Sequence, residues 1–306
     1  MSDAQVNVRE GSSVYYSLLW IDPAAKMRVD QRLGLIKALI TTLDDVQEPQ
    51  VAEKKIHWWH EELQRMHGGD ARHPAAQQNQ LILKGLDQAM AACLDILSAV
   101  STQRFSPFET TAASDTNLVL NHRARLALIA HALSGDNTDL DASMHPESSA
   151  LAFAHHEQLV RLPGLIHRGQ PVFSDEMYQQ FQVRPKDLAD HIRIADAATT
   201  DYTSDSDTQT TAATNFKSIP VVTEKPGRQN LLTHAIDCNR ASLLTAINDK
   251  AVEHRYRRPP LLPIWRLLVL RKYQLELWKK RQPDLLRERM TLTPLTKFFR
   301  AWQQRR

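Results

Sequence analysis

The sequence predicts an all-α protein, because three observations favour helices over strands. Only nine of the 306 residues are glycine, fewer than a β-protein with many tight turns needs. Apolar residues recur at spacings of three and four over most of the chain, and no segment alternates apolar and polar residues as a strand does. Hydrophobic residues make up 42% of the chain, enough for a large core, so we expect a single domain over 1–306.

The first half of the chain contains long helical patterns with residues that fit their ends. Four stretches have apolar residues at helical spacing: 12–43, 50–66, 75–99 and 116–133. Pro23 divides the first stretch, and Asp22 is suited to cap the helix that follows. Gly68 and Gly69 stop the second stretch, and Gly135 is a typical C-cap for the fourth.

The second half continues the helical pattern with one interruption. Five stretches are predicted to be helical: 148–166, 175–183, 231–254, 264–281 and 292–303. The first of these is expected to be interrupted or to end near Pro163 and Gly164. Residues 195–229 are rich in Thr, Ser, Asp and Ala and contain few large apolar residues. This composition is typical of a flexible surface segment, so we interpret 195–229 as an insertion in the domain.

Charge is distributed unevenly along the chain. The net charge is +3, but residues 251–306 contain 15 Lys and Arg against four Asp and Glu. Such a basic segment indicates an acidic partner, which could be a lipid headgroup surface, a nucleic acid or an acidic protein. No recognisable nucleic-acid-binding module accompanies it, so we expect no nucleic acid. Helix 264–281 fits either a membrane-interface helix or a core helix with a charged outer face, and the second is favoured.

Cysteine usage and hydropathy indicate a cytoplasmic protein. Cys93 and Cys238 are too few for a disulfide framework or a cysteine-based zinc site, and we expect both to be buried thiols in a reducing compartment. No stretch of 18 uninterrupted apolar residues is present, and residues 1–11 do not resemble a signal or transit peptide. Peripheral contact with the inner membrane through the basic C-terminal helices is one expectation for its location.

Two groups of residues are candidates for a binding site. Trp58 and Trp59 lie next to each other on a predicted helix, where they fit core packing or an aromatic wall around an apolar chain. Asp44 and Glu48 are four residues apart, so with Asp45 they could hold one Mg²⁺ ion, although solvated surface acids are the simpler interpretation.

The order of several motifs resembles that of the squalene/phytoene synthase family over nearly the whole chain. The matching segments are Tyr15-Tyr16-Ser17-Leu18-Leu19, the helix with Lys55-Ile56-His57-Trp58-Trp59, His73-Pro74, Arg168-Gly169-Gln170-Pro171 and Leu292-Thr293-Pro294-Leu295. The resemblance implies an isoprenoid-synthase-like helical domain around a central cavity. It also implies that Tyr16, Trp58, Trp59 and Arg168 contact the ligand.

The chain departs from that family at both aspartate-rich motifs. Active members hold Mg²⁺ ions with two such motifs, and these ions neutralise the diphosphate leaving group. Residues 38–42, where the first motif is expected, contain no carboxylate, and no Asp or Glu lies between Glu157 and Asp175. The positions where acids of the second motif are expected hold Arg161, Pro163, Leu165 and His167. The pattern is closer to the non-catalytic branch of the superfamily, which includes a mitochondrial complex I assembly factor.

Three hypotheses follow. The first is a non-catalytic member without a cofactor, which binds a protein partner, an isoprenoid or another lipid. The second is an active Mg²⁺-dependent prenyl transferase that uses Asp44, Asp45 and Glu48 as atypical metal ligands. The third is a helical interaction protein unrelated to the family.

Overall fold

The computed structural model describes residues 7–105, 108–135, 142–200, 226–281, 285–286 and 291–304, and within these ranges the protein is all-α, as predicted. The α-helices are α1 Ser13–Ser17, α2 Pro23–Ile40, α3 Pro49–Gly68, α4 Pro74–Leu83, α5 Asp87–Phe105, α6 Thr111–Ser134, α7 Glu147–His167, α8 Asp175–Gln180, α9 Pro185–Thr200, α10 Pro226–Asn248, α11 Lys250–Tyr256, α12 Leu262–Arg281 and α13 Pro294–Gln303.

Local sequence signals explain most of the helix ends. The Asp22 carboxylate accepts a hydrogen bond from the Ala25 N–H at 2.9 Å, which confirms Asp22 as the N-cap of α2. Gly69 has a φ of 90°, a left-handed conformation that favours glycine, and it ends α3. Gly135 follows the last residue of α6, as predicted.

Two predicted helices have different bounds in the structure. The stretch 75–99 contains two helices, α4 and α5, because the chain turns at Gly85 with a φ of 72° and the Gly85 N–H donates to the His67 carbonyl. Helix α7 instead continues through Pro163, where we expected an interruption. The predicted insertion 195–229 overlaps the end of α9 and the start of α10, and its residues 201–225 lie outside the described ranges.

The apolar residues form two main clusters that meet at α6. The N-terminal cluster is built from α2 to α6 and contains Leu39, Trp59, Leu63, Ile96 and Leu128 among its buried residues. The C-terminal cluster is built mainly from α6, α7, α10 and α12 and includes buried Leu126, Leu162, Leu231, Trp265 and Leu268. Helix α6 therefore contributes one face to each cluster.

Helices α12 and α13 differ in how they use their apolar residues. Helix α12 buries Trp265, Leu275 and Trp278 in the C-terminal cluster, so it is a core helix with a charged outer end. Helix α13 instead packs through Lys297 and Ala301 and leaves four apolar side chains exposed at positions 295, 298, 299 and 302.

None of the helices in the described ranges combines the length and hydropathy needed to cross a bilayer.

Candidate functional site

The two tryptophans lie near the surface of the N-terminal cluster. Trp59 is 4% exposed, whereas Trp58 is 39% exposed, and their ring centroids are 5.2 Å apart in an edge-on arrangement. The His73 ring lies 4.8 Å from that of Trp59. Both tryptophans border an open cleft beside Lys54 and Lys55, away from the cavities described below.

Glu62, one helical turn beyond Trp58, holds the next segment against α3. Its fully buried carboxylate accepts the backbone N–H groups of Arg72 and His73, each at 2.6 Å, and pairs with Arg65 at 2.9 Å. Burial by itself raises the pKa of Glu62, but these hydrogen bonds outweigh it and the pKa is lowered. The Trp-Trp and His-Pro motifs are thus joined by a structural carboxylate.

Tyr16 does not line the described cavities. It packs against the small cluster of Leu270, Leu292 and Ala301, and its ring meets that of Tyr15 at 5.4 Å.

Asp44 and Arg168 lie together, although the sequence analysis predicted a metal ligand at Asp44 and a ligand contact at Arg168. The Asp44 carboxylate pairs with Arg168 at 3.5 Å and with Arg161 at 3.6 Å. Asp45 and Glu48 are exposed, and Glu48 occupies the position before α3. Among the described residues, no group of three or more His, Cys, Asp or Glu could hold a metal ion.

Asp44 borders a small polar cavity between the end of α2 and helices α5, α6 and α7. Its volume is about 60 Å³. Most of its lining residues are charged or polar: Asp44, Gln103, Arg104, Asn121, His122, Arg125, Glu157, Gln158, Arg161 and Gln170. We call it the arginine cavity, since three arginines and the neighbouring Arg168 outnumber its two carboxylates.

Glu157 is the central charged group of the arginine cavity. Its carboxylate pairs with Arg125 at 2.5 Å and with Arg161 at 3.6 Å, and the His122 Nε2 lies 3.6 Å away. Burial alone raises the pKa of Glu157, but the positive charge of the nearby Arg125 lowers it well below its usual range. Glu157 is therefore ionised at neutral pH.

His122 is neutral in this setting. Its Nδ1 lies 3.0 Å from the Leu118 carbonyl, and its Nε2 lies 3.0 Å from Arg125. Because a guanidinium can only donate, Nε2 accepts from Arg125 and Nδ1 carries the proton. Burial, together with the positive charge of Arg125, lowers the pKa of His122 to about 4.

A second cavity adjoins the arginine cavity through shared wall residues. It has a volume of about 200 Å³, and His122, Arg125 and Glu157 belong to both walls. The rest of its wall is mostly apolar: Val14, Leu18, Val29, Leu33, Leu126, Ile129, Leu133, Phe153, Pro263, Ile264 and Leu267. We call it the apolar cavity. The two spaces together are apolar at one end and positively charged at the other.

Arg271 adds to the positive charge near the apolar cavity. It borders this cavity, lies 4.4 Å from the centre of the Phe153 ring, and donates to the Phe153 carbonyl at 3.3 Å. Burial lowers the pKa of Arg271 to about 10, so it is still charged at neutral pH.

Sequence reasoning missed most of this site. Of the residues it proposed for ligand contact, only Arg168 lies beside the arginine cavity. Arg161 was noted only as a replacement for an expected acid, and Arg125, His122 and Arg271 were not singled out. The feature that could have indicated this site is the number of charged residues on the inward faces of α6 and α7.

No model of a known protein family matches the chain, and no curated protein is significantly similar to it. The function must therefore be inferred from the residues and the geometry of the site.

Proposed function

We propose that this chain is a protein of the squalene/phytoene synthase type that does not catalyse prenyl transfer and that binds an amphipathic anion, an isoprenoid or other lipid with a phosphate or carboxylate head. The supporting observation is the pair of adjoining cavities that share His122, Arg125 and Glu157. The apolar cavity fits the hydrocarbon end, and the arginine cavity offers charged donors to the head group.

Arginines take the place of metal ions in this proposal. The guanidinium group binds phosphate or carboxylate oxygens directly with a fixed fork of donors. Arg161 and Arg168 each contact Asp44 through a single terminal nitrogen, at 3.6 and 3.5 Å, and Arg161 also pairs with Glu157 at 3.6 Å. The buried Nε of Arg168 has no acceptor among the described residues, so this N–H is available to a ligand anion.

The same charges argue against Mg²⁺ at Asp44. A divalent cation there would lie beside two guanidinium groups that already neutralise the carboxylate. The exposed carboxylates of Asp45 and Glu48 are the remaining acids for a metal site of the prenyl transferase hypothesis. Magnesium dependence of binding separates the two hypotheses.

Calorimetric titration with a non-hydrolysable farnesyl diphosphate analogue, with and without Mg²⁺, tests this proposal. We expect binding of equal strength in both conditions, because the arginines need no bridging ion. We expect the double substitution Arg161→Gln and Arg168→Gln to weaken binding at least tenfold. Arg184→Gln is the matched control, since Arg184 is 74% exposed and pairs only locally with Asp187.

Two outcomes of the titration would reject the proposal. Binding that requires Mg²⁺ would support the prenyl transferase hypothesis and direct mutagenesis to Asp44, Asp45 and Glu48. No binding in either condition would leave a protein-assembly role, and affinity capture of partners would be the next experiment.

We further propose that α13 attaches the protein to an anionic membrane surface. Its exposed apolar side chains, Leu295, Phe298, Phe299 and Trp302, follow the i, i+3, i+4, i+7 pattern of a single helix face. That face points away from the core, and aromatic residues in this setting are typical of interfacial helices. The excess of Lys and Arg in 251–306 provides attraction to anionic lipids.

Sedimentation with vesicles tests the membrane proposal. We expect binding to vesicles that contain phosphatidylglycerol and much weaker binding to phosphatidylcholine alone. The double substitution Phe299→Ser and Trp302→Ser should abolish it, whereas Trp58→Ser, which removes an exposed tryptophan elsewhere, should leave it intact. Equal binding by both variants would reject the role of α13.

A further inference from the structure

A third cavity, on the other side of α7, contains a linked serine, histidine and aspartate. The His155 Nε2 lies 2.9 Å from an Asp115 carboxylate oxygen, and its Nδ1 lies 3.0 Å from the Ser242 hydroxyl. The three residues come from α6, α7 and α10, so only the tertiary fold brings them together. All three line a pocket of about 270 Å³, which we call the serine pocket.

The hydrogen bonds fix which atoms carry protons. The Asp115 carboxylate can only accept, so the His155 Nε2 carries the proton and Nδ1 has a free lone pair. The Ser242 hydroxyl can donate to that lone pair or to the Cys238 carbonyl of its own helix, which is also 3.0 Å away. The arrangement has the order of a nucleophile, its base and the carboxylate that orients the base.

We propose that the serine pocket is a hydrolytic site for small, uncharged carboxylic esters, with Ser242 as nucleophile, His155 as general base and Asp115 as positioning residue. This inference is independent of the ligand proposed for the arginine cavity.

The chemical steps balance with water as the only co-reactant. The Ser242 Oγ forms a bond to the ester carbonyl carbon while its proton passes to the His155 Nδ1. The alcohol then leaves with that proton, and an acyl-serine remains. His155 next takes a proton from water, whose oxygen attacks the acyl carbon, and the carboxylic acid is released as Ser242 regains its proton.

Hydroxyl groups in the same pocket can stabilise the negative oxygen that forms during attack. Thr111 and Ser174 both line the pocket, and their hydroxyls lie 3.1 Å apart. The Ser174 oxygen already accepts the Met177 N–H at the start of α8, so its hydrogen can be donated to Thr111 or into the pocket. Such donors stabilise the transition state when they lie in a partly enclosed pocket.

The wall of the serine pocket indicates the class of ester. No Lys, Arg or Glu is among its lining residues, in contrast to the arginine cavity, so an uncharged substrate fits better than an anionic one. The apolar part of the wall suits a short acyl group: Leu151, Leu159, Val172, Phe173 and Met177.

Cys238 is the competing nucleophile in the pocket. Its sulfur lies 3.3 Å from the His234 Nε2, which could suggest a thiol–histidine pair. Burial, with the negative charges of Asp115 and Asp237, raises the pKa of Cys238 and keeps the thiol protonated. Because the histidine beside Ser242 is also oriented by the Asp115 carboxylate, the serine is the expected nucleophile.

Reaction of the protein of residues 1–306 with a short-chain fluorophosphonate, followed by peptide mass spectrometry, tests the inference. We expect covalent labelling of Ser242 that is at least tenfold slower in His155→Gln. Cys238→Ala should still be labelled, and Thr245→Ala, which removes an exposed hydroxyl one turn further along α10, should react like the wild type. Absence of a Ser242 adduct in the folded wild-type protein would overturn the inference.

Hydrolysis of p-nitrophenyl acetate provides the second measurement. We expect p-nitrophenyl acetate to be hydrolysed no faster with Ser242→Ala than without protein. The melting temperature of this variant shows whether it is folded. Asp115→Asn should lower kcat at least tenfold with little change in KM, and Asp115→Glu should recover part of that loss. Activity retained in Ser242→Ala but lost in Cys238→Ala would assign the reaction to the thiol and reject the serine.

Discussion

The N-terminal cluster and the C-terminal half of the molecule use polar residues in opposite ways. In the N-terminal cluster, the buried carboxylate of Glu62 is surrounded by donors of its own chain and points to no cavity that we describe. In the C-terminal half, Glu157, Arg161 and His155 lie on the cavity walls. The most conspicuous motif of the sequence thus lies beside a carboxylate that stabilises the fold, while the candidate sites lie on helices without a conspicuous motif.

The largest effect that would test this comparison is expected at Trp59. Because its ring is buried in the N-terminal cluster, Trp59→Ala should lower the free energy of unfolding by about 3–5 kcal/mol. Trp58→Ala, at the more exposed neighbouring position, should cost less than about 1 kcal/mol. Urea unfolding measures both, and an unchanged stability of Trp59→Ala would contradict the assignment of this ring to the core.

In the C-terminal half, His122 should make stability depend on pH. Its pKa is about 4 in the folded protein, below the ordinary value of about 6.5 in the unfolded chain, so the unfolded state binds more protons between these values. Stability should therefore fall by roughly 3 kcal/mol as the pH drops from 6.5 to 4.

Unfolding of wild type and His122→Gln over this pH range measures that effect. The free energy of unfolding of the variant should decrease less steeply as the pH falls. Burial and the charge of Arg271 also lower the pKa of His156 well below its ordinary value, so His156 contributes the same pH dependence to both proteins. Parallel curves would show that His122 is not the neutral, buried group described above.

Glu62 should contribute a smaller effect at lower pH. Glu62→Gln should cost about 1.5–3 kcal/mol at neutral pH, because a hydrogen-bonded charged acceptor is removed. The pKa of Glu62 is lowered in the folded protein, so its contribution is complete above the unfolded value of about 4.5 and declines as the pH falls through the folded value. As the pH falls below about 4.5, the free energy of unfolding should therefore decrease less steeply in Glu62→Gln than in the wild type. The same dependence on pH in both proteins would exclude this role of Glu62.

Glu157→Gln should change both stability and binding. The amide can still accept from Arg125, but the buried guanidinium groups lose their neutralising charge, so the loss of stability should be about 3–5 kcal/mol. Removal of the negative charge leaves the arginines of the cavity less neutralised, and the affinity for the farnesyl diphosphate analogue should rise. A weaker affinity, measured by the same titration, would contradict an anion-binding arginine cavity.

The sequence supported the fold class and much of the helix pattern because these depend on local signals. Apolar spacing and capping residues such as Asp22 and Gly135 act within one or two turns. The division at Gly85 was missed because its left-handed turn is favoured by a contact with His67, 18 residues earlier in the chain.

The sites were harder to predict than the helices. Asp44 and Arg168 meet across more than 120 residues, and Ser242 meets His155 across 87. No spacing rule connects such residues, since their distance depends on how α6, α7 and α10 pack. Resemblance to a family directed attention to Trp58 and Trp59, which the structure places by a surface cleft, and away from the inward faces of α6 and α7.

Three consecutive residues of α7 face three different surroundings. His155 faces the serine pocket, His156 stacks on Trp278 at 5.7 Å, and Glu157 faces the arginine cavity. Successive residues of a helix are separated by a rotation of about 100°. Many single substitutions in α7 would thus alter one environment alone. Deletion or insertion of one residue before position 155 would rotate all three side chains together, so this helix should tolerate changes of residue type far better than changes of length.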